Sequence, residues 1–176
     1  MPFANHFTIT KKDNLRFNFF LMKKKLIATS ITVFVIISAM VGLIRYAQGA
    51  PLGVAVLRAL LLGLGGTALL IAVNAVSTVM RLNNLYRQKK LLDFSVDFTV
   101  DAAGIHARSE RGDSDLPWSR ITSVQETRHA FYIFITDTHA NVMPKDQLKS
   151  GADVAALRGL FQKHLDAPRR RLKSAA

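Results

Sequence analysis

Five histidines stand out first as residues able to do chemistry: His6, His106, His129, His139 and His164. The spacing Glu126-x-x-His129 invites a metal reading. Residues three apart share a face on a helix, but on a strand they point to opposite sides. No third ligand neighbours the pair, and zinc commonly takes four. Ser119, Asp137 and His139 supply the residue types of a hydrolytic triad, yet nothing around Ser119 resembles a nucleophile elbow. Gly63, Gly65 and Gly66 lie in an apolar run, where glycine serves close packing rather than phosphate binding. Asp113 and Asp115 fall in a polar stretch that reads as a solvated loop. The chain has no cysteine, which removes disulfides, thiol catalysis and Cys-based zinc sites. No catalytic residue, cofactor or metal is expected.

The elements that would position these residues come in two kinds. Residues 26–44 and 59–80 contain no charged side chain. At about 1.5 Å per residue, either run matches a hydrocarbon core of about 30 Å. A cleaved signal peptide fits poorly, because Arg45 and Tyr46 interrupt the approach to a cleavage site at 47–49. The net charge of +12 suggests nucleic acid until it is divided by segment. Residues 1–25 hold six Lys/Arg against Asp13; Arg81, Arg87, Lys89 and Lys90 follow the second run; Arg169, Arg170, Arg171 and Lys173 crowd the tail. Residues 93–167 carry eight Lys/Arg against eleven Asp/Glu. The presumed folded part is mildly acidic, so no nucleic-acid surface is expected. The basic residues instead flank apolar runs. Lys23, Lys24, Lys25, Arg87, Lys89 and Lys90 are expected to meet anionic lipid headgroups.

The expected organisation has five parts: a strand and basic amphipathic lead-in over 1–25, a transmembrane hairpin over 26–80 with spans at 26–44 and 56–80, a basic helical extension over 81–92, a β-domain with a C-terminal helix over 93–167, and a disordered basic tail over 168–176. Lys/Arg asymmetry places both termini in the cytoplasm, with a short turn near Gly49 and Pro51 outside. Ala55, Ala59, Gly63 and Thr67 recur every four residues and would let the helices approach closely. Gly63 is expected at the depth of Gly42. Asn74 is expected to bond across to Thr29 or Thr32, or to another protomer. The plainer account is that small residues are common in membrane helices. Neither span holds an acid, lysine or histidine, which argues against a pump or transporter.

After residue 92 the period changes. Phe94, Val96, Phe98 and Val100 alternate with polar residues, as in a half-buried strand. Further strands are expected at 105–107, from 116 through 127, at 130–136 and at 140–143, about six in all. From Ala152 the spacing of Val154, Leu157, Leu160, Phe161 and Leu165 is helical. The helix would cover an open part of a small antiparallel sheet. Residues 7–10 read as one more strand able to join it.

The series Trp118-Ser119-Arg120-Ile121, Val124, Glu126-Thr127, the apolar run 131–135 and Pro144-Lys145 resembles the YcxB-like family. The hairpin before Asp93-Phe94 and the pair Gly104-Ile105 also fit. The resemblance covers most of the chain and is most specific over residues 93–148. It implies a bacterial inner-membrane protein with a pleckstrin-homology-like domain and no established activity. The fold class expected is therefore α+β: a two-helix hairpin plus a small antiparallel, pleckstrin-homology-like β-domain capped by a helix. Trp118, Ile121 and Val124 read as core. Glu126 and Lys145 form either a salt bridge or a ligand or partner surface. The loops offer only Arg108 and Arg111 for phosphoinositides, which is too few. The expected function is non-enzymatic: a membrane-anchored domain for protein interaction or self-association. Alternatives are an immunity protein against a membrane-active toxin, and a lipid-directed membrane enzyme using Glu126, His129 and Lys145.

Overall fold

A computed structural model describes residues 2–172. The chain forms two compact units: residues up to Asn14 together with those from Leu91 onward, and residues 15–90 between them.

The first unit is built from strands. β1 (Phe3–Ile9), β2 (Phe94–Val100), β3 (Gly104–Ser109) and β4 (Ser114–Pro117) form an antiparallel sheet in that order. β5 (Ser123–Glu126), β6 (Ala130–Phe134) and β7 (Ala140–Pro144) form a second, in the order β7-β6-β5-β8, where β8 is Arg170–Arg171. The alternation seen in the sequence sets the inner face: Val96, Phe98 and Val100 of β2 point inward, as do Phe7 and Ile9 of β1. Every residue of β6 is buried, which is why its sequence lacks alternation. Full burial of each large apolar side chain stabilises by about 1.5–3 kcal/mol. The sequence suggested six strands plus one; among the described residues there are eight in two sheets, and β8 is parallel to β5. β1 pairs with β2 along its whole length, Phe3 opposite Val100 and Ile9 opposite Phe94.

Three short features tie this unit together. Gln147 works like a one-residue strand beside β1: its Oε1 accepts from Thr8 N at 2.6 Å and its Nε2 donates to Thr8 O at 2.7 Å. This satisfies part of an otherwise open edge. Gly104 has φ +159°, and a Cβ there would lie 2.2 Å from the Leu116 carbonyl oxygen. That backbone approach is why glycine starts β3. The final helix, α3 (Gly151–His164), begins with a capping box in which Ser150 and Asp153 satisfy each other's backbone N–H groups. It buries Leu157 and Phe161 in the shared core.

The second unit is a helical hairpin. Helix α1 (Lys11–Ala47) is continuous from the lead-in to the turn, and α2 (Leu52–Arg87) is nearly as long. Lead-in and first span are therefore one helix rather than two segments. Both helices are long and apolar enough to cross a membrane, over Lys25–Ala47 and Leu52–Arg87. The expected helical extension to residue 92 ends earlier, at Arg87. There Lys89 takes a left-handed φ of 53° and Lys90 N donates to Leu85 O, closing the helix.

The hairpin contacts correct two expectations. Gly63 faces Ser38 and Phe34, not Gly42; Gly42 faces Ala59. The register is shifted by about one turn, and in it Ser38 Oγ donates across to Ala59 O at 3.3 Å. Asn74 does not bond to Thr29 or Thr32. Its Nδ2 donates to Leu70 O on its own helix at 2.9 Å, an i−4 carbonyl already within reach. Thr32 likewise donates back to Ala28 O. The tail expectation also changes: Ala167–Arg169 form a 3-10 turn and Arg170–Arg171 a strand, while 173–176 lie outside the described residues.

Candidate functional site

Glu126 is the most unusual polar residue in the sheet unit. It ends β5 opposite Phe131 of β6, on the same inward face as Val124. Its side chain has 0% exposure. An isolated carboxylate there would be costly, so buried charges are found paired. Two cations meet it. Arg158 of α3 binds it bidentately, Nε to Oε2 at 2.9 Å and Nη2 to Oε1 at 2.7 Å. Lys145 Nζ donates to the same Oε1. The Glu126 partnership holds the Arg158 guanidinium pKa above its ordinary value. Lys145 also stands 4.7 Å from the Phe131 ring centroid, a cation–π distance. Its backbone is placed by Lys145 N donating to His129 O at 2.8 Å.

So the pair singled out in the sequence is a salt bridge, and the third member was missed. A signal existed. Arg158 falls four residues after Val154 and three before Phe161, on the apolar stripe of α3. A charge on that stripe needs a buried partner. His129, the third residue of the proposed lipid-enzyme cleft, is exposed in the β5–β6 turn, whereas the Glu126 carboxylate is turned inward. A ligand would reach that carboxylate only by displacing Lys145 or Arg158.

A second ionic cluster lies on the outer face of the first sheet. His106 Nδ1 is 2.7 Å from Asp115 Oδ1, and its Nε2 is 3.4 Å from Asp101 Oδ1. Arg108 Nη1 reaches the same Asp115 oxygen at 2.8 Å. Carboxylates at both ring nitrogens favour the imidazolium, and hydrogen bonding to Asp115 foremost raises the His106 pKa. The Asp101 carboxyl is lowered first by the Ala103 and Gly104 N–H groups of its turn, then by His106. Asp115 is lowered by Arg108 and then His106. His6 makes a similar exposed pair with Asp97 at 2.7 Å. His139 Nδ1 meets the Thr136 and Thr138 hydroxyls within its turn. Among the described residues, no group of three or more acids and histidines is arranged to hold a metal ion.

Trp118 joins the halves of the unit. Its indole N–H donates to Asp101 O at 3.0 Å, and its ring stacks on His164 at 4.8 Å. Ile121 and Val124 are fully buried, and Pro144 is buried at the end of β7. Trp118 itself sits in a 3-10 turn after β4 rather than opening a strand.

Residues 100–161 match the family of YcxB-like proteins. No curated protein and no solved structure matches the chain. The YcxB-like match begins at the end of β2 and runs into α3, a smaller part of the chain than the resemblance suggested. It contains Trp118 and all three members of the ionic triad. It leaves out β1, the helical hairpin and β8.

Proposed function

We propose that this chain is a non-enzymatic inner-membrane protein whose YcxB-like domain is held in the cytoplasm for protein interaction, above all self-association. The observation that carries the membrane part is the distribution of exposed apolar side chains. Every large exposed one among the described residues, except Leu92, lies on α1 or α2. Leu43 and Leu69, for example, are 69% and 67% exposed. In water such a surface would be a liability; in lipid it is the required surface. Two four-stranded sheets closed by a C-terminal helix support a pleckstrin-homology-like reading of the domain. The lysines before the first span and Arg81 after the second support cytoplasmic ends.

The lipid contacts proposed here are narrower than those expected from the sequence. Thr78 hydrogen-bonds Met22, so these two residues share a depth. Lys23–Lys25 lie beside that level, while Arg87 lies nine residues past Thr78, about 13 Å along the axis. We assign headgroup contact to Lys23, Lys25 and Arg81, with Arg87, Lys89 and Lys90 beyond it.

The test uses the cysteine-free background. In intact inner membranes, Gln48→Cys should react with an impermeant maleimide from outside, and Arg120→Cys only after permeabilisation. In-membrane cross-linking of the same chain should recover a self-associated or partner-bound species. Labelling of both positions from one side, or recovery of monomer alone, would refute the proposal.

A further inference from the structure

The strand β8 is an odd companion for β5. On its other side, β5 pairs with β6 over its whole length, from Ser123 opposite Phe134 to Glu126 opposite Phe131. Toward β8 it has only Val124 opposite Arg170 and Gln125 opposite Arg171, in parallel. Between β5 and β8 the chain has passed through β6, β7 and α3, so nothing local requires this pairing.

What fixes the segment is chemically simple. The Arg169 guanidinium donates to three main-chain carbonyls, those of Trp118, Ser119 and Ile121. Arg170 donates to the carbonyl of Gln162. These acceptors belong to the domain's backbone and take Arg169 at the end of its 3-10 turn and Arg170 in extended chain, from whichever copy they come. The 3-10 turn Trp118–Arg120 and its C-cap Ile121 supply the three acceptors of Arg169, and α3 supplies that of Arg170. Without the segment, β5 would be an open edge, and open edges are filled by strand addition.

We infer that the flank of β5 held by β8 is a strand-addition site that takes the 169–171 segment of a second copy of this chain, exchanging it with the segment bound in cis. This rests on the self-association reading above. The occupant is argued from identity: the site already accepts this sequence, and a second copy carries it. Anchoring in one membrane raises the effective concentration of that copy. The hinge is short. Leu165 is buried with α3, leaving 166–168 to cross, at most about 10 Å of extended chain. The two β5 edges must therefore lie close together, which favours a reciprocal two-fold exchange.

Gln125 and Arg171 are cross-strand partners away from the core, suited to a disulfide if both are cysteine. Two differently tagged full-length chains, one Gln125→Cys and one Arg171→Cys, are co-expressed in membranes and oxidised. A chain with Ser114→Cys on the other sheet replaces the Arg171→Cys chain to set the collision baseline. Exchange gives a mixed-tag disulfide dimer several-fold above that baseline, reduced several-fold again by Arg169→Ala. A mixed dimer no more abundant than baseline overturns the inference. If cross-linking still recovers oligomers, the self-association reading stands without it; if only monomer is found, both fall.

Discussion

Replacing Glu126 by glutamine isolates what the buried triad contributes. The change keeps the side chain's shape but removes its charge. Three donors converge on the carboxylate, from Lys145 Nζ and from Arg158 Nε and Nη2. An amide offers one acceptor and turns its own N–H groups toward donors. Two cations then remain without a counter-charge. Breaking a buried pair from one side typically costs about 3–5 kcal/mol. Lys145 and Arg158 keep 14% and 23% side-chain exposure, so partial hydration softens the loss. The expected cost is about 3 kcal/mol, a large share of a domain's usual margin. Arg158→Met should cost less, because Lys145 still faces the carboxylate. Lys145→Met should cost least, about 1 kcal/mol, because the bidentate arginine remains. Replacing all three by Leu, Met and Met should be near neutral, since no charge is then stranded. The assay is urea unfolding of the full chain in micelles, followed by fluorescence of Trp118, the single tryptophan. A Glu126→Gln loss below about 1 kcal/mol, or a triple variant as unstable as the single, would refute the reasoning.

Two further outcomes follow from the geometry. A Cβ on Gly63 would sit 2.2 Å from Ser38 Oγ and 3.1 Å from the Phe34 ring, whereas one on Gly65 meets nothing within 4 Å. Gly63→Leu should weaken helix pairing by about 1–3 kcal/mol and Gly65→Leu by little, read by energy transfer between dyes at 23 and 77 during SDS titration; equal losses would mean the helices do not pair on this face. His106 has a folded pKa raised above its ordinary 6.5, so its contribution is complete below that value and is lost as pH rises through the raised one. Asp101 and Asp115 have pKa values lowered from 3.8, so theirs is complete above 3.8 and is lost as pH falls through the lowered values. The stability gap between wild type and His106→Gln should therefore be widest between those limits and shrink as the pH rises on through the raised value, as measured by urea unfolding across pH; a gap that grows with rising pH would contradict the assignment.

Much of the sheet unit was legible because its faces alternate. Val96, Phe98 and Val100 declare their direction one residue at a time, and the apolar run of β6 declares a buried strand. Glu126 and Lys145 could be paired from the resemblance, but Arg158 stands 32 positions from Glu126, and only the docking of α3 brings it in. Gln147 was invisible for a related reason. Its role depends on lying beside β1, 139 positions away, and no local pattern encodes that. The tail misled because composition was weighed without tertiary acceptors. Three arginines in a row read as solvated until carbonyls of the Trp118–Arg120 turn are placed beside Arg169. In the hairpin, the small-residue stripe located the packing face, but spacing alone could not set the register. That depends on how whole side chains meet across the pair, Gly63 against Phe34 and Ser38, and Gly42 against Ala59.

The net charge of +12 shows how depth changes the meaning of composition. Counted along the sequence, the lysines at 23–25 and the cluster ending at Lys90 are two flanks of one apolar hairpin. Along the helix axes they separate, because Met22 and Thr78 share a level and α2 continues nine residues further to Arg87. Headgroups add only about 5–8 Å to each side of the hydrocarbon core, and the physiological Debye length is about 8 Å. If the lysines sit in that layer, a charge about 13 Å further out is largely screened from the lipid. Arg81, three residues past Thr78, remains within reach. On the topology proposed above, Arg81 and the basic residues before the first span suffice to resist translocation, and Arg87, Lys89 and Lys90 would lie on the aqueous side of the headgroups.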